Sequence, residues 1–185
     1  MPELVSPTTR VRRSFLAAVA ELRAEGNGQY DGTSVYPPVG GSPGEAWELP
    51  VLETQEGFRH FTTRLVEISD ADSDRPPGYV PATALWWVDG DTYLGRLSIR
   101  HRLTDDLLRY GGHIGYFVRP SARRRGHATA MLRAAMPVAA ALGIDPVLVT
   151  CDDDNAASRS VIETAGGRLE DQRGRKLRFW VPVGS

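Results

Sequence analysis

The chain is 185 residues long, with 41% hydrophobic and 24% charged residues and a net charge of −1 from 22 Lys+Arg against 23 Asp+Glu. That length and balance fit one globular domain over 1–185 and exclude a collagen-like repeat, wholesale disorder or a disulfide-built miniprotein. Near-neutral charge gives no broad attraction to nucleic acid or to a membrane surface.

Cys151 is the only cysteine, so neither an intrachain disulfide nor a cysteine-built metal site can form. No apolar run approaches the about 20 residues needed to span a bilayer. The short apolar stretch Phe15 to Leu22 is interrupted by Glu21 and lacks a convincing cleavage site. A cytoplasmic protein is the expectation.

In chain order, Val11, Phe15, Ala18, Val19 and Leu22 recur at helical spacing and predict a helix from about Thr9 to Ala24. The segment 26–50 is rich in glycine and proline and reads as a long loop or lid, with Tyr30, Tyr36 and Trp47 favouring order. Phe58, Phe61, Leu65 and Ile68 predict a second helix from about Thr54 to Ser69. Ala84 to Val88 and Thr92 to Arg102 read as strands joined by an Asp89-Gly90-Asp91 turn. Ile114 to Val118 is a third strand, stopped by Pro120.

Ala128, Met131, Leu132, Ala135, Ala139 and Leu142 then give the clearest helical stripe, closed by Gly143. Val147 to Thr150 reads as a buried strand and Asn155 to Ala165 as a helix. Arg168 to Asp171 and Leu177 to Val181 read as a closing hairpin. The order implies an α/β (α+β) fold, a mixed sheet with helices on both faces.

Chemistry concentrates where the third strand meets the long helix, in Arg119-Pro-Ser-Ala-Arg123-Arg124-Arg125-Gly126-His127-Ala128-Thr129. A basic turn with a glycine leads straight into helix, whose first-turn amides lack internal partners and sit at the positive end of the dipole. That is a site for a pyrophosphate. Neither a P-loop nor a Gly-x-Gly-x-x-Gly dinucleotide fingerprint is present, and no His or Cys spacing suggests zinc.

Arg123-x-x-Gly126-x-Ala128 resembles the Gln/Arg-x-x-Gly-x-Gly/Ala motif of the GNAT superfamily of acetyl-CoA-dependent N-acetyltransferases. Asn155-Ala-Ala-Ser158, with Glu163 and Gly166-Gly167 beyond it, resembles that family's second cofactor motif. The resemblance implies a GNAT-like, mostly antiparallel sheet with acetyl-CoA as acetyl donor. The backbone of Phe117 and Val118 and Asn155 would meet the pantetheine arm. Arg123, Arg124, Arg125, Gly126, His127, Ala128 and Thr129 would hold the pyrophosphate. An acceptor amine would attack the thioester directly in a ternary complex.

A primary amine of pKa near 10 is only about 0.1% neutral at pH 7, so a base helps. His113 is the first candidate, at a position where many family members carry Glu, and His101 the second. If their strands run antiparallel, the two lie nearly opposite each other. The family's Tyr general acid, seven residues after the motif Asn, is replaced by Ile162. Ser158, Tyr116 or water would then serve the departing thiolate, or it leaves unassisted.

The long loop points to a small-molecule primary amine as acceptor, and Asp89, Asp91, Asp105 and Asp106 are loop acids that would either attract a cation or simply be solvated. The competing readings are a protein N-terminal or lysine acetyltransferase and a non-catalytic acyl-CoA-binding module. The closing strands are a candidate homodimer surface.

Overall fold

The computed structural model describes residues 1–26, 31–37 and 44–184. Apolar alternation over 82–100 builds the middle of the molecule. β4 (Ala82–Asp89) and β5 (Thr92–Arg100) form an antiparallel hairpin whose turn places Gly90 at φ 56°. Residues with Cβ resist that angle, which explains the glycine. Around the hairpin lie β1 (Glu3–Val5), β6 (Ile114–Val118), β7 (Val147–Asp152), β8 (Arg168–Arg173) and β9 (Lys176–Val181). The sheet order is β1-β4-β5-β6-β7-β9-β8, with β6–β7 the parallel pair and every other pair antiparallel.

Each face of this sheet carries its own core, because successive side chains on a strand point to opposite sides. On one face Leu97, Ile99, Ile114, Val147, Val149 and Phe179 pack with α4 (His127–Ala141) and α5 (Ala156–Thr164). On the other, Ala84, Trp86, Val88 and Tyr93 pack with α1 (Arg12–Ala24) and α3 (Gln55–Glu67). Phe15 organises that second core, stacked on Trp86 with centroids 5.3 Å apart and edge-on to Phe58 and Tyr93. Thr54 caps α3 by accepting from the Gly57 amide at 3.0 Å, a cap worth about 1 kcal/mol.

The segment expected as an irregular lid contains regular structure. β2 (Ser34–Tyr36) and β3 (Glu45–Ala46) pair antiparallel, and a short α2 (Leu49–Leu52) follows. Tyr36 is buried against Tyr79, and Trp47 packs on Phe61. These aromatics dock the segment on α3, and the Pro/Gly content confines its strands to a separate two-stranded ladder. Residues 27–30 and 38–43, Tyr30 among them, lie outside the described residues. No helix among the described residues is long and apolar enough to cross a membrane.

Candidate active site

β6 and β7 are in register only at Ile114↔Val149, just after the His113 amide donates to the Leu148 carbonyl at 2.7 Å. Beyond that point they share no ladder, so Gly115–Val118 and Thr150–Asp152 form a wedge opening toward α4 and α5. β6 remains fully paired on its other side, from Ile99↔Ile114 to Gly95↔Val118. A backbone edge held rigid on one side and open on the other can accept an extended ligand by strand-type hydrogen bonds.

The wedge runs into the basic turn. Arg124 has φ 62° and Gly126, the residue before α4, has φ 79°. Two left-handed residues within three curl the backbone into a concavity whose amides point inward, a nest for anions. The amides of Arg124 to Thr129 have no hydrogen-bond acceptor among the described residues. At Gly126 a Cβ would meet nothing within 4 Å, so the surface there is open and the positive φ is what calls for glycine. These features fit the pyrophosphate of coenzyme A.

Not every expected side chain is free to assist. The Arg123 guanidinium donates to the Val118 carbonyl at 3.1 Å and pairs with Glu25 at 2.9 Å. His127 accepts at Nδ1 from Trp87 Nε1 at 3.2 Å, which places Trp87 in the core, as Trp86 is on the opposite face. Arg124 and Arg125 are exposed at the mouth of the turn. Arg119, in the same segment but assigned no role by the resemblance, is buried and bound to Glu21, Ser14 Oγ and the Tyr93 carbonyl. Glu21 also accepts from the Ser121 amide at 3.1 Å. Its carboxyl is held down to about 2, chiefly by the Arg119 hydrogen bond against an opposing burial effect. This knot fastens α1 to the strand-to-helix turn.

On the α5 side, Tyr116 Oη and Ser158 Oγ are 2.8 Å apart. Burial pushes the Tyr116 hydroxyl up to about 12. Asn155 caps α5, its Oδ1 accepting from the Ser158 amide at 3.0 Å, so its side-chain nitrogen is what remains for a ligand. Ile162 is fully buried in the core. The chain has thus put packing where the family carries a hydroxyl, and the hydroxyl pair joins Ser158, one turn earlier on the helix, to Tyr116 of β6.

His113 is buried at the closed end of the wedge. Its Nδ1 accepts from the Leu148 amide at 2.9 Å. An amide always donates, so Nδ1 is unprotonated and the neutral ring carries its proton on Nε2. The free ring nitrogen is therefore a donor and not a base. Burial, and then the charge of Arg100, lower its pKa. The expected facing of His101 and His113 is corrected by the register. The Arg100 amide donates to the His113 carbonyl at 2.8 Å, so Arg100 stands opposite His113. One residue of offset turns His101 away, where its Nε2 lies 2.8 Å from Thr83 Oγ1.

The loop acids are elsewhere. Asp89 pairs with the N-terminus at 3.1 Å and Asp91 with Arg10 at 3.6 Å, while Asp105 and Asp106 precede a π-type turn at Leu107–Gly111. Asp152 pairs with Lys176 and Asp153 and Asp154 with Arg175, so this acidic run just before α5 ties it to the β8–β9 hairpin. Cys151 is buried, and burial raises its thiol pKa, which keeps it unreactive.

A seven-stranded, mostly antiparallel sheet with a parallel wedge beside an anion nest is the architecture the GNAT resemblance implies. The profile described as "Acetyltransferase (GNAT) domain" matches residues 44–168, and the chain belongs to this family. It is an acyltransferase, and acetyl-CoA is its acetyl donor. Comparison with characterised sequences returns no significant match. Among solved structures, the fold is shared with RimJ of Mycobacterium smegmatis in complex with CoA-disulfide, at TM-score 0.63 and 18% identity over 98% of this chain and 81% of that one. It is shared with a ribosomal-protein-alanine acetyltransferase of Vibrio fischeri, at TM-score 0.62 and 14% identity over 99% and 92%. The ribosomal α-N-protein acetyltransferase RimL in complex with coenzyme A matches at TM-score 0.58 and 18% identity, over 97% and 92%.

Proposed function

We propose that the protein acetylates an α-amine, that of a peptide or protein N-terminus, by direct attack in a ternary complex. The observation that carries this is the absence of a free base at the closed end of the wedge. His113 has its acceptor nitrogen committed to Leu148. Among the described residues, no carboxylate bonds to His113 or Arg100, whose side-chain partners are backbone groups. The acid acting on Arg96 is Asp31, already bonded to Arg23 Nε at 2.6 Å and to the Thr33 amide and hydroxyl. Without a base, reaction depends on the neutral fraction of the acceptor. An α-amine of pKa near 8 is about a tenth neutral at pH 7, whereas a lysine amine near 10.4 is below about 0.1%. Proteins of the same fold named above are described as acetylating ribosomal proteins, one as an α-N-protein acetyltransferase.

When bound, acetyl-CoA presents a thioester to the acceptor, and the products are an N-acetyl amide and free CoA. The open edge of β6 at Phe117 and Val118 and the Asn155 amide align the pantetheine arm. Amides of Arg124 to Thr129, with the Arg124 and Arg125 charges outside them, hold the pyrophosphate. Tyr116 and Ser158 face the leaving sulfur. With its hydroxyl near 12, Tyr116 cannot favourably surrender a proton to an alkyl thiolate of pKa near 8.5, a difference costing about 5 kcal/mol. The pair instead donates a hydrogen bond to the developing charge, and solvent completes the protonation. A cytoplasmic location fits this use of acetyl-CoA.

A second reading, a small molecule bearing an α-amine, is favoured by the segment Asp31–Tyr36. A Cβ at Gly32 would sit 3.1 Å from the Phe117 ring, so this segment narrows the approach to the wedge. Thiol release measured with acetyl-CoA against peptides, free amino acids and polyamines decides. Acetylation of peptide α-amines over amino acids supports the first reading, and the reverse order supports the second. Polyamine turnover without either rejects both.

A further inference from the structure

β5 presents two arginines to the face on which α1 and α3 pack. Arg96 and Arg100 alternate with Leu97 and Ile99 of the opposite core, so both side chains share a side, about 13 Å apart at the backbone. Both are half-buried. Arg96 spends one nitrogen on the carbonyls of Gly32 and Ser34, at 3.2 and 3.0 Å. Arg100 spends one on the carbonyls of Gly111 and Gly112, both at 3.1 Å. Neither forms an ion pair with any described carboxylate.

The contrast with the two buried arginines elsewhere is informative. Arg119 meets Glu21, and Arg178 meets Asp171 at 2.6 Å and also Glu170. A desolvated cation is costly unless a counter-charge meets it. Arg96 and Arg100 instead add their fields: burial and then the charge of Arg96 disfavour the cation at Arg100. Arg96 feels the charge of Asp31, which is itself bonded to Arg23 and Thr33, and Arg100 meets only backbone carbonyls, so the pair is short of counter-charge that an anionic ligand can supply.

Their position says which ligand. Ser98↔Gly115 and Arg96↔Phe117 are cross-strand pairs, so the arginines flank the first residues of the wedge. A Cβ at Gly115 would lie 3.6 and 3.8 Å from the two terminal nitrogens of Arg100. The Arg100 guanidinium therefore lies within van der Waals reach of the strand at the point where β6 leaves β7. Cofactor amides lie farther along, past Pro120, on the turn into α4.

We propose that Arg96 and Arg100 form a carboxylate subsite for the acceptor, so that the preferred α-amine lies within a residue or two of an acidic group. The inference deepens the α-amine reading and rests on it for the placement of the amine. The same two charges oppose the ammonium form of an incoming amine, which raises its neutral fraction where no base is present. The carboxylate belongs either to an acidic side chain at the start of a peptide or to the main-chain carboxylate of a free amino acid.

The test compares kcat/KM for acceptor pairs that differ only in charge: Ser-Asp- against Ser-Asn-initiated peptides, and glutamate against its α-amide. The expected result is a preference of at least about tenfold for the acidic peptide, as for a charge-assisted bidentate contact. Arg100→Gln and Arg96→Gln should each shrink that ratio toward one. A retained thermal shift with acetyl-CoA shows that these variants fold and hold cofactor. Equal rates for acidic and neutral peptides, or an undiminished ratio in both variants, overturn the subsite and leave the α-amine reading standing. Turnover of glutamate but of no peptide supports the subsite and overturns the peptide reading. No acceptor-dependent thiol release from any of them overturns both.

Discussion

Replacing Glu21 with glutamine probes the knot that ties α1 to the cofactor turn. Its folded-state pKa of about 2 against an ordinary 4.5 corresponds to about 3 kcal/mol of stability at neutral pH. With 27% of the Glu21 side chain exposed, solvent screening brings the expectation for Glu21→Gln closer to about 2 kcal/mol. Because the folded pKa is depressed, the contribution is fully present above pH 4.5 and is lost as pH falls toward 2. At pH 3 it should be less than about half its neutral value. Urea denaturation of both proteins from pH 7 to pH 3 reads this as a converging pair of curves. The melting midpoint at pH 7 should fall by roughly 4–8 °C. Acetyl-CoA affinity should weaken as well, because Ser121 and Arg119 would lose the carboxylate that fixes the turn. A gap that stays constant with pH, or no loss at pH 7, would refute the assignment.

Three further outcomes follow from the site. Gly126→Ala meets no steric neighbour but must hold φ 79°, so it should fold at a cost of about 1–2 kcal/mol and bind acetyl-CoA more weakly by calorimetry, while Arg124→Gly should relieve strain at φ 62° and weaken binding only through the lost charge. Tyr116→Phe removes the hydroxyl partner of Ser158 and should lower kcat about tenfold or more, with little change in KM for acetyl-CoA. At His113, asparagine offers an acceptor in place of Nδ1, whereas phenylalanine strands the Leu148 amide at about 1–3 kcal/mol. His113→Asn should therefore keep most stability and rate, and loss of rate with stability intact would restore the base role.

The strand-to-helix turn proposed to hold the cofactor was legible as a fold feature because it is built from backbone. A strand stopped by Pro120, a glycine at 126 and a helix with a clear apolar stripe declare their geometry through local rules. The boundaries of α1, α3 and α5 fell within a few residues for the same reason, since Thr54 and Asn155 are recognisable caps. The proposed acceptor side was not legible, because it depends on register. Whether His101 or Arg100 faces His113 is a matter of one residue across a 13-residue connection, and no local signal sets it. Arg96 and Arg100 read as the polar half of an amphipathic strand, and only burial without a direct ion pair marks them out. Tyr36 and Trp47 hinted at order in the long loop, but its β2–β3 pairing arises from docking on α3.

The most direct measurement uses a peptide with both a free α-amine and a lysine, incubated with the protein and acetyl-CoA and mapped by tandem mass spectrometry. The account predicts acetyl-CoA-dependent modification on the α-nitrogen alone, with CoA released in equal amount. Modification on lysine, or CoA release that no amine accelerates, would contradict it.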